Sequence, residues 1–346
     1  MLRYLTAGES HGKALLAILE GMPAGLKVEV NRINQQLKRR QQGYGRGKRM
    51  QIERDKAEIL SGLKSAFTLG SPIGILIKNQ DTSIERLPKV VCPRPGHTDL
   101  AGLLKYGFSD IRNVLERASA RETAARVAIG AICRIFLEGF RIKISSRVLE
   151  IGGRKGKAQI KAVIGEARKR KDTVGGIFEV VARKVIPGLG SYAQPDQRLD
   201  ARLTQAIMSI PGIKAVQIGL GFGYADKFGS QVHDAIYYSK TKGFYRKTNN
   251  TGGIEGGISN GEDIILSACM KPISTLLAPL DSVNIKTKAG AKASIERSDI
   301  CVVEAAGVIA EAVVAFELAR AVLLKFGSDA ITDIKASYRN YLKRLR

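Results

Sequence analysis

Hydrophobic residues recur at two different intervals along the chain, and these intervals predict both helices and strands. Between Asp110 and Gly139 they return every three or four residues, as on the buried face of a helix. We therefore predict one continuous helix, capped near Asp110 and closed at Gly139. A second long apolar helix is predicted from about Val302 to Phe326. Charged residues interrupt this second segment, which indicates a buried helix and not a membrane span.

Shorter segments alternate apolar and polar residues, which is the pattern of half-buried strands. The strands predicted in this way cover residues 71–79, 141–149, 176–185, 215–220 and 263–270. Further helices are predicted within 152–172, at 201–210, and at 31–38 with Asn31 as the N-cap. No linker-like composition divides these elements, so we expect a single domain over residues 1–346, with an exposed basic tail at about 334–346.

Composition narrows the classes of function. The chain has 56 Lys and Arg against 32 Asp and Glu, a net charge of +24, which indicates anionic partners such as nucleic acid, a membrane surface, or phosphorylated or carboxylated ligands. The absence of Trp argues against a platform for stacking single-stranded bases. The N-terminus lacks the apolar run of a signal peptide, and the four cysteines form no CxxC pair. We expect free thiols in a reducing cytoplasm, and neither disulfides nor a zinc site.

The segment from Pro93 to Ala131 holds the densest candidate chemistry. A Pro-flanked loop presents His97 and Asp99, and the predicted helix that follows carries six charged residues among small and aliphatic ones: Arg112, Glu116, Arg117, Arg121, Glu122 and Arg126. An ordinary set of i,i+4 ion pairs accounts for about half of these charges. Arg117 and Arg121 are like charges one turn apart, which weakens a free helix unless an anion lies beside them. This segment is therefore a candidate site for an anionic ligand.

Glycine-rich segments are candidates for close contact with a ligand. The first, 8–12 (GESHG), contains His11, one of only three histidines, but its glycines are too close for a Walker A loop. The second, 39–49 (RRQQGYGRGKR), combines arginines with glycines whose backbone amides are accessible. Arginine can bind phosphate or carboxylate through two hydrogen bonds, which indicates an anion-binding loop. An RNA-binding loop and a solvated lid are open alternatives. The third, 252–261 (GGIEGGISNG), indicates either a ligand contact or a tight sheet corner. Residues 271–275 (KPIST) offer a lysine and hydroxyls suited to a phosphate.

Six segments, taken in this order, closely resemble the chorismate synthase family over essentially the whole chain. They are GESHG, RRQQGYGRG, RPGHTDLAGLLKYGFSDIRNVLERASARETAARVAIGA, GGIEGGISNG, KPIST and ERSD. The resemblance implies a lyase that converts 5-enolpyruvylshikimate 3-phosphate to chorismate by a 1,4-anti elimination of phosphate, the last common step of the shikimate pathway, with reduced FMN as a required cofactor. It also implies an α+β fold, a single-domain β-α-β sandwich with helices layered between antiparallel sheets, assembled as a homotetramer in the cytoplasm.

The same resemblance implies roles for individual residues. His11 matches the acid for the leaving phosphate, His97 the histidine near the flavin, and Asp299 the aspartate that relays a proton through the flavin. Three arginines match positions that hold the anionic substrate in the family: Arg40, Arg46 and Arg94. Of these, Arg40 and Arg46 also match positions associated with NADPH. The implied flavin contacts are Arg117, Ala118, Ser119, Pro211, Gly212, Gly256, Lys271, Pro272, Ile273, Ser274, Thr275 and Arg297.

A few positions depart from the family pattern. Ala118 stands where many members have serine, so a hydroxyl contact to the flavin is lost there. Pro211-Gly212 replaces a common Gln-Ala, and Ser298 stands where some members carry histidine. His233 lies outside every motif and is expected to be structural. No added reductase domain is evident, so an external source of reduced flavin is expected, and neither a membrane nor a nucleic acid is an expected partner.

A basic nucleic-acid-binding protein is the alternative from a different class of function. Its support is the net charge of +24 and the basic run 152–172, which is most simply a solvated helix and loop. Binding to a duplex would depend steeply on salt concentration, whereas a deep site for a small ligand would depend on it less.

Overall fold

The computed structural model describes residues 1–47, 53–241, 243–296 and 299–345. Strands β1 to β16 are Arg3–Ala7, Ala14–Glu20, Ala57–Ile59, Leu63–Lys64, Phe67–Thr68, Ile73–Lys78, Lys143–Ile151, Gly176–Arg183, Ile213–Ile218, Ile236–Ser239, Gly243–Arg246, Ile254–Glu255, Ile258–Ser259, Ile264–Met270, Asp281–Val283 and Gly290–Lys292. Helices α1 to α9 are Val30–Gln41, Asp99–Tyr106, Arg112–Ala118, Thr123–Glu138, Lys157–Lys169, Leu199–Met208, Gly229–Val232, Val303–Phe326 and Ile331–Arg344. Short 3-10 helices cover Ile84–Arg86, Ala120–Glu122, Pro195–Gln197 and Gly221–Tyr224.

Two four-stranded antiparallel sheets enclose a layer of helices. The first sheet has the strand order β1-β2-β6-β3, and the second has the order β7-β8-β14-β9. Helix α4 packs on the first sheet and α8 on the second, while the two helices pack against each other. On β2 the side chains of Leu15, Ala17 and Leu19 are buried and the residues between them are not, as alternation requires. The predicted α+β fold with helices between antiparallel sheets is confirmed.

The contact between α4 and α8 depends on small residues. A Cβ atom added to Gly130 would lie 2.4 Å from Cβ of Ala312, so only glycine allows the two helices to approach this closely. Helix α8 is buried along nearly its whole length, and its charged Glu311 is only 1% exposed. This confirms the prediction of a buried helix at 302–326. Among the described residues, no helix is both long and apolar enough to cross a membrane.

The prediction of one continuous helix from Asp110 to Gly139 is wrong. Helix α3 ends at Ala118 because Ser119 is extended (φ −63°, ψ 140°), and α4 begins at Thr123 after a turn of 3-10 helix. The Ser119 hydroxyl accepts the N–H of Arg121, a local bond that competes with the helical pattern. The predicted helix start near Asp110 is confirmed, although Ile111 and not Asp110 is the N-cap; Oδ1 of Asp110 accepts the N–H of Arg112 at 2.9 Å.

The segment around Asp99 also differs from its prediction as a loop. Asp99 is the first residue of α2, a helix that Gly107 ends in the left-handed conformation (φ 66°). The predicted Asn31 cap is wrong as well, because α1 begins at Val30 after an extended Glu29. Periodicity locates a helix better than it locates the helix ends, since terminal residues make few of the repeating contacts.

The remaining predicted elements are confirmed. All five predicted strands are present as β6, β7, β8, β9 and β14, with bounds that differ by at most two residues. The glycine run 252–261 includes the hairpin β12–β13, and a Cβ at Gly252 would lie 2.4 Å from the backbone nitrogen of Gly219. That part of the run is therefore a tight sheet corner. The four cysteines are free, and burial raises the pKa of the Cys301 thiol to about 11.

Candidate active site

His11 lies in the loop between β1 and β2 and contacts a buried carboxylate. Gly8 begins this loop at φ 106°, where a Cβ would lie 2.3 Å from the carbonyl oxygen of Ala14, so the turn requires glycine. The ring nitrogen Nδ1 of His11 lies 2.9 Å from Oε1 of Glu116, and its backbone N–H donates to Oε2 at 2.8 Å. Both side chains are nearly inaccessible to solvent. The loop and helix α3 are thus joined at the candidate acid.

The charge of Glu116 is stabilised from two sides. Burial alone would raise its pKa, but the hydrogen bonds from the ring and backbone of His11 hold the pKa below its usual value. Arg112, one turn earlier on α3, lies 3.9 Å away and makes a closer ion pair at 2.9 Å with Glu296. This confirms the predicted i,i+4 pair between Arg112 and Glu116, and Glu122 with Arg126 makes a second one.

His97 belongs to a second histidine–carboxylate pair. Its Nδ1 lies 2.5 Å from Oδ1 of Asp99, which is fully buried. The Arg94 guanidinium donates to both oxygens of Asp99, at 2.8 Å and 3.0 Å, and to the hydroxyl of Thr275 at 2.7 Å. Arg94 therefore joins the His97 loop to the 271–275 loop, two segments that the resemblance assigned to one site.

Lys271 reaches the same place from the end of β14. Its ammonium group donates to the carbonyl oxygen of Gly96, next to His97. Its backbone N–H donates to the carbonyl oxygen of Gly212 at 2.9 Å, so Pro211-Gly212 is positioned against the same loop. Burial, with the nearby charge of Lys214, lowers the pKa of Lys271. Ile273 is fixed by a 2.6 Å hydrogen bond from Thr173 to its carbonyl oxygen.

Open space adjoins His97. A cavity of about 520 Å³ is lined by the loop 93–97, by Leu100, Ala101 and Leu104 of α2, and by Asp281–Val283. The His97 ring keeps about a fifth of its surface exposed. The ring is thus held on one side by Asp99 and remains accessible on another.

A third cluster lies behind the His11 loop and consists of buried ion pairs. Arg40 donates to Thr123 and Asp55, and Arg121 donates to Asp55 at 2.6 Å. Burial lowers the pKa of the 4%-exposed Arg40 to about 10, in spite of the opposing charge of Asp55. Asn79 accepts from Arg121 and donates to the backbone of the His11 loop at 2.8 Å, which connects this cluster to the candidate acid.

The prediction that Arg117 and Arg121 lie one turn apart on a single helix is wrong. The two residues lie on different elements, α3 and the 3-10 helix, because the helix breaks at Ser119. Arg121 already has protein anions beside it, Asp55 at 2.6 Å and Glu53 at 3.6 Å. Arg117 is exposed and donates to the backbone oxygens of Thr6 and Gly8. The charge of Arg121 is therefore balanced by protein carboxylates, whereas Arg117 is held by neutral oxygens.

Asp299 contacts the glycine-rich loop that follows α1. Its Oδ2 lies 2.9 Å from Nη1 of Arg46, and its Oδ1 accepts the backbone N–H of Gly47. Arg297 and Ser298, as well as the end of the 39–49 loop, lie outside the described residues. Two predicted site residues, Arg46 and Asp299, are thus in direct contact. They come from distant parts of the chain, since Gly47 and Asp299 are 252 positions apart.

The other predicted contacts lie on two further parts of the fold. Ala118 and Ser119 form the break between α3 and α4, and Ala118 packs on a small apolar cluster with Ile111 and Val114. Gly256 occupies the β12–β13 turn at φ 58°, and a Cβ there would meet open space. In the described ranges, no group of His, Cys, Asp and Glu side chains is arranged to hold a metal ion.

The sequence interpretation missed the carboxylates that orient the candidate residues. Glu116 appeared only as part of a helical ion pair, and Asp55 and Glu53 were not considered. A signal was present for Glu116, because a carboxylate among small and aliphatic residues must be paired if it is buried. No comparable signal marks Asp55, since its partners come from distant segments.

The comparisons with known proteins agree with one another. A family model described as chorismate synthase matches residues 2–323. The chorismate synthase of Caldanaerobacter subterraneus subsp. tengcongensis is 54% identical over 348 residues, covering 100% of this chain and 99% of the relative. That of Geobacter sulfurreducens is 49% identical, with 100% of both chains covered. A crystal structure of a chorismate synthase superposes with a TM-score of 0.83 at 41% identity, covering 99% of this chain and 98% of that one.

Proposed function

This chain belongs to the chorismate synthase family, and we propose that its two buried histidine–carboxylate pairs carry out the proton chemistry of the family's reaction. The chain is a lyase that eliminates phosphate from 5-enolpyruvylshikimate 3-phosphate in a 1,4-anti sense to give chorismate. His11 is proposed as the acid for the leaving phosphate and His97 as the histidine beside the flavin. Histidine is the side chain that most often acts as a general acid or base in enzymes, which suits both tasks.

One observation carries the proposal. The Arg94 guanidinium contacts Asp99, His97 and Thr275 at once, so a histidine, a cation and the hydroxyl-bearing 271–275 loop converge. Lys271 adds a second cation through its contact with Gly96. Residues from two segments that are 181 positions apart meet here, and Asp99 is the one carboxylate among the described residues that bonds to Arg94 and His97, so Lys271 adds positive charge that Asp99 alone does not balance. An anionic ligand would balance this charge.

The site fits the charges of the substrate and of FMN. The substrate carries a phosphate and two carboxylates, and FMN carries a further phosphate, so both require nearby cations. Within the described part of the chain, the buried N–H groups without a hydrogen-bond partner include Nε of Arg46, a residue already predicted to contact the substrate. Such donors favour anionic acceptors that complete their hydrogen bonding.

Lys271, Ser274 and Thr275 are proposed to hold the phosphate of FMN, with a backbone contact from Gly212, whose carbonyl oxygen accepts the N–H of Lys271. A flavin contact at Gly256 stays a prediction, because the adjoining Gly253 packs beside Asp263, before the start of β14, whereas Lys271 follows the end of that strand. Reduced FMN supplies the electron-rich ring that assists loss of the phosphate. The protein's own part is to orient the two ligands, to place positive charge where negative charge develops, and to hold protons on His11 and His97. Ala118 offers no hydroxyl, so its contact is proposed through the backbone.

The assembly and the source of reduced flavin are further proposals. A homotetramer is supported by the outer face of the first sheet, where the paired residues Leu5 and Ile18 are 73% and 49% exposed beside the exposed Leu16. Reduction of the flavin by an external reductase is proposed over binding of NADPH at Arg40, because that guanidinium is buried and bonded to protein groups. A cytoplasmic location stays a prediction.

The alternative of a nucleic-acid-binding protein has less support. Several arginines that raise the net charge are buried and so do not form part of a surface that a nucleic-acid duplex could contact: Arg40, Arg94, Arg112 and Arg121. Helix α5 does carry an exposed basic surface, as predicted, with only Ile164 and Ala167 buried. A solvated helix accounts for that surface.

The test of function is anaerobic release of phosphate from 5-enolpyruvylshikimate 3-phosphate, with and without chemically reduced FMN. We expect release that is coupled to the absorbance of chorismate and that requires the reduced flavin. Release without flavin would contradict the proposed cofactor. No release from folded protein in either condition would contradict the proposed site, and a binding assay on duplex DNA and RNA at several salt concentrations would then test the alternative.

A further inference from the structure

The two histidine–carboxylate pairs differ in which other groups contact the carboxylate. Asp99 shares its charge with Arg94, which donates to both of its oxygens. Glu116 has no such close partner in Arg112, because the 3.9 Å between Nη1 and Oε1 exceeds a hydrogen-bond distance. The charge of Glu116 is therefore directed mainly at His11.

Glu116 also fixes His11 at more than one point. Both of its oxygens lie within 3.1 Å of Nδ1, and Oε2 accepts the backbone N–H of His11. The backbone carbonyl oxygen of Glu116 accepts the N–H of Ser10 at 2.9 Å. Side chain and main chain of one helical residue thus hold two consecutive residues of the loop, so the ring has a defined orientation relative to α3.

The ionisation of Glu116 decides the tautomer of His11. The hydrogen bonds to His11 lower the pKa of this buried glutamate, so it is ionised at neutral pH and can only accept hydrogen bonds. Nδ1 must then carry a hydrogen in both the neutral and the protonated ring. Nε2 is left as the nitrogen that gains and loses a proton.

We propose that Glu116 is the positioning residue of His11, which holds the Nδ1–H tautomer and so makes Nε2 the atom that delivers a proton to the leaving phosphate. The inference rests on the proposed role of His11 as the acid. Arg112 lies 3.9 Å from Glu116 and is itself held by Glu296 and by the carbonyl oxygen of Pro88. The outer partners of metal-binding histidines change activity by about 10- to 100-fold when substituted, and we expect an effect of similar size for a partner that orients an acid.

Glu116→Gln tests whether Glu116 selects the tautomer of His11, because an amide can form a hydrogen bond with either tautomer. Its oxygen can accept from Nδ1–H, and its NH₂ group can donate to a bare Nδ1. We expect kcat for phosphate release with reduced FMN to fall by about 10- to 100-fold, with KM changed by less than about threefold. Glu317→Gln is the matched control, since Glu317 is a largely buried glutamate of α8 whose charged neighbours are Arg320 and Arg202. The control should leave kcat unchanged.

A double-variant cycle separates positioning from general damage. If Glu116 acts through His11, Glu116→Gln in a His11→Asn background should cause no further loss of kcat. A folded Glu116→Gln variant with kcat within about twofold of wild type, alongside a slow His11→Asn variant, would overturn the proposal. A full further loss in the double variant would overturn it as well.

The tautomer itself can be observed by NMR with isotope-labelled histidine, because the chain contains only three histidines and each signal can be assigned by substitution. We expect the Nδ1–H form of His11 in the wild type and a mixture of tautomers in Glu116→Gln. An Nε2–H form in the wild type would overturn the proposal even if the variant failed to fold. Normal turnover in His11→Asn would contradict the proposed function of His11, and the tautomer signals would still decide the role of Glu116.

Discussion

Oδ1 of Asp99 lies 2.5 Å from Nδ1 of His97 at the first turn of α2. The same carboxylate accepts the backbone N–H and the Nε–H of Arg94, so it holds a ring, a guanidinium and a loop together. Burial alone would raise the pKa of Asp99, but the hydrogen bonds from His97 and Arg94 hold it well below its usual range. His97 is thus oriented before any ligand binds, which allows its role to be tested by substitution.

We expect His97→Ala to lose most turnover while it still binds substrate. A positioned acid or base contributes about 10²- to 10⁴-fold, and the arginines proposed to bind the anionic substrate are retained in this variant. Anaerobic kinetics with reduced FMN would measure kcat, and calorimetry would measure substrate affinity. His233→Ala, at an exposed histidine, is the control and should behave as wild type. Near-normal turnover of His97→Ala would remove His97 from the mechanism.

Glu311 should make stability depend on acid pH. Its buried carboxylate accepts from Arg39, Arg134 and Ser146, and these partners lower its pKa although burial opposes the shift. A carboxylate with a lowered folded pKa stabilises fully above its unfolded pKa of about 4.3, and this contribution is lost as the pH falls through the folded value. We expect Glu311→Gln to lower the free energy of unfolding by about 2–4 kcal/mol at pH 7.

Denaturant unfolding from pH 7 down to about pH 3 would measure this difference, which should shrink below the unfolded pKa. Glu138→Gln, which breaks an exposed pair with Arg32, should change stability by less than about 0.5 kcal/mol. A difference for Glu311→Gln that is the same at every pH would show that lost packing, and not lost charge, is responsible.

Gly130→Ala should destabilise the fold because the added methyl group would lie 2.4 Å from Cβ of Ala312. Forcing one extra carbon into a tightly packed core costs about 1–3 kcal/mol. Gly165→Ala on α5 is the control, since nothing lies within 4 Å of its added Cβ, and it should stabilise by about 0.5–1 kcal/mol. Thermal unfolding of both variants measures the contrast. If the two variants had the same melting temperature, helices α4 and α8 could move apart at Gly130 without loss of stability.

Lys271→Met should weaken the binding of FMN by about tenfold or more, because a charged hydrogen bond to phosphate is lost. Burial lowers the pKa of Lys271, so the wild-type ammonium loses its proton at a lower pH than an ordinary lysine does. The affinity of wild-type protein for FMN should therefore decline as the pH rises, and that decline should be absent in the variant. Flavin fluorescence titrations would measure both. Lys27→Met, at an exposed lysine paired with Glu29, should bind FMN normally.

The chain should depend on a separate source of reduced flavin. Arg40, which the family resemblance associates with NADPH, donates to Thr123, Asp55 and the carbonyl oxygen of Ala120, and so has little capacity for a further ligand. We expect no steady aerobic turnover with NADPH and oxidised FMN alone, and turnover once a flavin reductase is added. Steady turnover without the reductase would contradict this expectation.

Prediction from sequence succeeded where the information is local. The five strands were located to within two residues because alternation repeats along each strand, and the burial of α8 followed from its composition. The break at Ser119 was missed because the apolar spacing continues across it. The segment 8–12 lies in a loop between β1 and β2, as its flanking glycines indicate, since glycine has a strong preference for turns.

The sequence by itself determined the alternation of strands and helices, the buried core and, through its motifs, the family. Only the tertiary structure decided which charges meet. Glu116 is 105 residues from His11, and Asp55 is 66 residues from Arg121, yet both pairs are in direct contact. Periodicity reports which face of an element is buried, whereas a hydrogen bond between distant segments depends on how those buried faces are finally packed. The orientation of each candidate histidine is therefore a property of the packed fold.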